Sequence, residues 1–99
     1  MSRFSKDQRE EIYSVALNVW GAHAQGLMAV EEMSELTQAL SKHFRGKTDL
    51  VNIVEEIADV RIMLEQLEMM FDCSAAVQGA LDYKIERLQE RLDNCWRAE

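Results

Sequence analysis

Two short acidic clusters dominate the chemistry this chain could perform. One reads Glu31-Glu32-Met33-Ser34-Glu35, and the other Glu55-Glu56-Ile57-Ala58-Asp59. On a helix, residues three apart lie on one face, one turn above the other. Glu32 therefore pairs with Glu35, and Glu56 with Asp59. A single Glu-x-x-Glu is usually a solvated helix face. Two pairs on successive helices ask for more, because each intrudes on an apolar arc. In the first helix that arc is Ala29, Met33, Leu36, Leu40 and Phe44, and Glu32 falls about 70° from its centre at 100° per residue. In the second it is Ile53, Ile57, Val60, Leu64, Leu67 and Phe71, with Glu56 about 60° from its centre. Glu35 and Asp59 lie nearer the rims, and Glu31 points largely to solvent.

Four carboxylates converging in a half-buried site cannot all stay ionised without a counter-charge, because mutual repulsion and desolvation both oppose it. A divalent cation supplies that charge. Oxygen-only ligands suit hard cations, magnesium first and manganese second. The carboxylate-bridged di-iron bundles place a histidine three residues after a glutamate. His23 and His43 are not in that register, which argues against iron and zinc.

A third charged group lies further along. Lys84, Arg87 and Arg91 are three, four and seven apart and so share a helix face. A basic stripe facing a carboxylate–magnesium site suits a polyphosphate, whose oxygens the metal alone leaves partly uncompensated. Salt bridges to Glu86 and Glu90 are the plainer use of the same residues.

The elements that must position these groups are helices. The chain has 99 residues, no proline and four glycines, and its apolar residues recur at three and four. Ser5-Lys6-Asp7-Gln8 fits a capping box that starts the first helix after Ser5. Its apolar stripe is Ile12, Ala16, Val19 and Trp20, with Tyr13 and Leu17 beside it, and Trp20 reads as core. Gly21 and Gly26 predict a break within residues 20–26. The second helix is expected from about Gln25 to Phe44 or Arg45, closed by Gly46 in the left-handed conformation. Thr48 or Asp49 caps a third helix from about Leu50 to Phe71. A fourth follows Asp72-Cys73-Ser74 to about Trp96, with Gly79 a weak point. One all-α domain over 1–99, a four-helix antiparallel bundle, is the expected fold.

Bulk properties narrow the function classes. A net charge of −7 argues against nucleic acid as the main ligand. No stretch is apolar for long enough to span a membrane, and the first residues lack the apolar core of a signal peptide, so a cytoplasmic location is expected. Cys73 and Cys95 have no metal-ligand spacing and read as reduced thiols without a role. A chain this short builds a thin core, which burial against another copy would supplement.

With Glu31-Glu32-Met33-Ser34-Glu35-Leu36, then Glu56-Ile57-Ala58-Asp59 after twenty intervening residues, the chain resembles the MazG-like family of all-α nucleotide pyrophosphohydrolases. Trp20-Gly21, Gln25 and Leu64-Glu65-Gln66-Leu67 extend the likeness, over about residues 15–92. The resemblance implies magnesium held by Glu32, Glu35, Glu56 and Asp59, and a nucleoside triphosphate cleaved to the monophosphate and pyrophosphate. It implies Glu31 or Glu55 as the base that orients the attacking water. It also implies Lys84 and Arg87 on phosphate, joined on the same face by Arg91, while Gln25 and Trp20 are candidates for the base of the nucleotide. Family members often carry Asn before that Lys and Phe after that Arg, where this chain has Tyr83 and Leu88. The family assembles as dimers or tetramers, with the site completed by a neighbouring subunit. Two alternatives stay open: a non-catalytic helical interaction protein, and a relative that cleaves phosphoribosyl-ATP.

Overall fold

The computed structural model describes residues 2–98, in four helices with no strand among the described residues. Helix α1 spans Lys6–Trp20, α2 Ala22–Phe44, α3 Leu50–Met70 and α4 Ser74–Ala98. Helix α1 begins as the sequence predicts. The Gln8 N–H donates to the Ser5 hydroxyl at 3.1 Å, and the Ser5 N–H donates to the Gln8 side chain at 2.8 Å. It ends at Gly21, whose φ of 87° only glycine adopts readily and whose N–H donates to the Leu17 carbonyl. The break is one residue wide, so α2 starts three residues earlier than the predicted Gln25.

Helix α2 closes in a Schellman turn. Gly46 sits at φ 89°, and the Gly46 and Lys47 N–H groups donate to the carbonyls of His43 and Lys42. Asp49, of the two candidate caps, accepts from the Asn52 N–H at 3.1 Å and starts α3. This tight turn sends α3 back along α2, and the two pack along their lengths. Between them lie Ala29, Ala39, Ile53, Val60 and Met63, with Tyr13 of α1 closing one end. Arg9 of α1 reaches Glu65 of α3 at 3.1 Å.

The same turn logic ends α3. Asp72 takes the left-handed conformation at φ 49°, and the N–H groups of Asp72 and Cys73 donate to the carbonyls of Met69 and Glu68. Beyond this hinge the four helices are not equally engaged. Among the described residues α4 packs only on α3, and its residues from Gln78 to Trp96 are all exposed. The helix runs unbroken through Gly79. The core is correspondingly small, with no large side chain fully buried among the described residues.

Trp20 of α1 is not the core residue it reads as in the sequence. Ile12, Val19 and Trp20 are exposed, Trp20 by 64%, and with Val15 and Ala16 they line an open apolar groove. Only Tyr13 of this helix is buried. No helix among the described residues is long and apolar enough to cross a membrane.

Candidate metal centre

The packed α2–α3 pair brings acids from both helices to one place. Ligand atoms of Glu32, Glu35 and Glu56 all lie within 4.8 Å of one another, each residue half-buried. The antiparallel crossing is responsible, since it sets the middle of α2 against the early turns of α3. Glu32 and Glu56 are both half-buried, and each has a carboxylate oxygen out of contact with solvent.

The electrostatics of the cluster are unfavourable as it stands. The Oε2 atoms of Glu32 and Glu56 are buried and have no hydrogen-bond partner. Such an orphaned acceptor loses its hydration with nothing in return. Burial, then the charges of Glu35 and Asp59, push the Glu32 carboxyl up to about 6. Burial, again followed by Glu35 and Asp59, also raises Glu56. The neighbouring groups that raise both carboxyls are themselves carboxylates. A hard divalent cation fits this donor set: all oxygen, pre-gathered, and short of positive charge.

The remaining sequence candidates are distributed unevenly. Asp59 is half-buried and its charge bears on both Glu32 and Glu56, although it lies outside the tight group of three. Glu31 and Glu55 are exposed. Gln25 is buried inside the fold, where its Nε2 donates to Gln66 Oε1 at 2.8 Å. Sequence reasoning had not singled out Gln66 as that partner. The available signal was its place on the α3 face between Met63 and Met70, where an amide needs a polar mate.

Lys84, Arg87 and Arg91 do line one surface groove together, with Leu88, as their spacing predicts. The Arg87 guanidinium also lies 5.8 Å from the centre of the Tyr83 ring, a cation–π distance. That groove belongs to α4 alone. Helix α4 does not touch α2, so one chain does not join the basic stripe to the acids. Compared with known proteins, the chain matches no family model, no curated protein and no solved structure.

Proposed function

We propose that this chain is a magnesium-dependent nucleoside triphosphate pyrophosphohydrolase of the MazG-like kind, releasing pyrophosphate and the monophosphate. The observation that carries this reading is the pair of buried, partnerless carboxylate oxygens on Glu32 and Glu56, gathered with Glu35. A structural helix pair has no use for such a cluster, whereas a cation site requires one.

Glu32, Glu35 and Glu56 would hold the ion, with Asp59 adding negative charge from the rim. Magnesium, when bound, supplies positive charge to the triphosphate oxygens and acidifies a water. The water oxygen bonds to the α phosphorus as the bond from that phosphorus to the bridging oxygen of the β phosphate breaks. Pyrophosphate leaves with the bridging oxygen and its electron pair. The proton of the water passes to a carboxylate. Glu31 or Glu55, each next in sequence to a carboxylate of the cluster, would take that role. Lys84, Arg87 and Arg91 would neutralise the outer phosphates. Because α4 meets only α3 within its own chain, these cations would reach the acids from a neighbouring copy in a dimer or tetramer.

The test is pyrophosphate release from a panel of ribo- and deoxynucleoside triphosphates, with magnesium and with chelator. Magnesium-dependent release of monophosphate and pyrophosphate in equal amounts supports the reading. A folded, magnesium-loaded protein that turns over none of them overturns it and leaves a helical interaction protein as the function.

A further inference from the structure

Gln25 and Gln66 are the only buried polar side chains among the described residues, 6% and 4% exposed. Their 2.8 Å bond, from the Gln25 Nε2 to the Gln66 Oε1, is also the only side-chain hydrogen bond joining α2 to α3 among those residues. As a source of stability the pair is a poor choice. Both amides give up bonds to water to make it, and two apolar side chains of the same shape would hold the helices as well. What the amides offer instead is direction. The apolar contacts of Ala29, Ala39, Ile53, Val60 and Met63 attract without specifying direction. A 2.8 Å hydrogen bond is lost outright when one helix slips by a turn, about 5.4 Å, and two buried amides are then stranded.

Sequence spacing shows what this bond keeps level. Along an antiparallel pair, a step forward on one helix matches a step back on the other. Seven residues on from Gln25 is Glu32, and seven back from Gln66 is Asp59. Three further steps in the same directions reach Glu35 and Glu56. Seven residues are nearly two full turns, so Glu32 and Asp59 return to within about 20° of the glutamine on their own helix. The register that levels the amides thus sets Glu32 opposite Asp59 and Glu35 opposite Glu56. Ligand atoms of Glu32, Glu35 and Glu56 do lie within 4.8 Å of one another. The acids are bracketed along the helix pair, with the Gly46–Asp49 turn on one side and the amide bond on the other.

We propose that the Gln25–Gln66 amide pair is a register lock: a positioning pair that touches neither metal nor substrate and holds the acids of α2 level with those of α3. Its use rests on the cation-site reading above, whereas its mechanism rests on the α2–α3 geometry alone. Gln25 then serves the site from inside the fold, through the placement of its helix.

The test compares the unaltered chain with Gln66→Leu and with the double variant Gln25→Met/Gln66→Met, which keeps both side chains long and unbranched and removes both amides. Stability is read by urea titration and manganese affinity by electron paramagnetic resonance of the free ion. Register is read from nuclear Overhauser effects between α2 and α3 in the metal-free protein. The single variant should be destabilised. The double variant should recover to near the unaltered urea midpoint, yet bind manganese about tenfold or more weakly. Its metal-free Overhauser effects should come from more than one register, where the unaltered chain gives one. A stable double variant with unchanged manganese affinity overturns the proposal. So does a double variant that fails to fold, since the pair is then a stabilising element first. If the unaltered chain binds no manganese, the cation reading falls by itself. The Overhauser effects still decide, and a single unchanged register in the double variant overturns the lock.

Discussion

The α2–α3 pair and α4 are similar in length and both amphipathic, yet they stand in opposite situations. The first has buried charge that it does not need for stability, and the second has exposed apolar surface that it does not need for solubility. In α2–α3, Glu32 and Glu56 each hold a buried carboxylate oxygen without a partner. In α4, Leu81, Ile85, Leu88 and Leu92 are all exposed. Each region is incomplete in its own currency, one lacking positive charge and the other lacking apolar cover. The difference separates two kinds of need: counter-charge for the first and apolar cover for the second.

Four substitutions and a pH series test that contrast. The largest effect is expected from Glu56→Gln, which keeps shape and removes charge. Magnesium-dependent turnover should fall by about 10²-fold or more, with helicity by circular dichroism unchanged. Full activity in that variant would remove Glu56 from the site. Next is Gln66→Leu, which strands the buried Gln25 amide and should lower stability by about 1–3 kcal/mol in urea titration.

A pH series probes the acids directly. Glu32 titrates higher in the folded chain than when unfolded, so its contribution to stability is complete below about 4.5 and is lost as pH rises through about 6. The metal-free protein should therefore lose stability between pH 5 and 7 by this route. Glu32→Gln should flatten the loss, and saturating magnesium should reverse it. An unchanged urea midpoint slope in Glu32→Gln would show that the cluster is not its source. The smallest effect should come from Gly79→Ala, at an open position on the polar side of α4, where no heavy atom lies within 4 Å of an added methyl. Better helix propensity should stabilise the protein by about 0.5–1 kcal/mol, read as a small rise in melting temperature.

Much of this was legible in the residues. Ser5 and Gln8, Gly21 and Gly46 mark helix ends because capping and left-handed turns are local, and local rules survive in any assembly. Glu32, Glu35 and Glu56 came together because spacing on two helices and a short turn leave them little alternative. What periodicity could not tell was which chain covers an apolar face. Ile12, Val19 and Trp20 form a proper stripe and still lie open, as do Ile57 and Leu64. The direction of α4 was equally hidden, since it depends on the backbone at Asp72 and not on any hydrophobic pattern. Gln25 was read as a nucleotide contact because its partner, forty-one residues away, is a tertiary fact.

The hinge at Asp72 has a consequence for how this chain can vary. The bonds from Asp72 and Cys73 to Met69 and Glu68 fix where α4 starts, and the count of residues from there to Leu81 fixes how its exposed apolar row is clocked around the helix. One residue inserted in the first turn of α4 would rotate Leu81, Ile85, Leu88 and Leu92 together by about 100° relative to the hinge, with no change in composition. Segment length between Cys73 and Leu81 is thus as strict a specification as any side chain, and an indel there would be felt more than most substitutions.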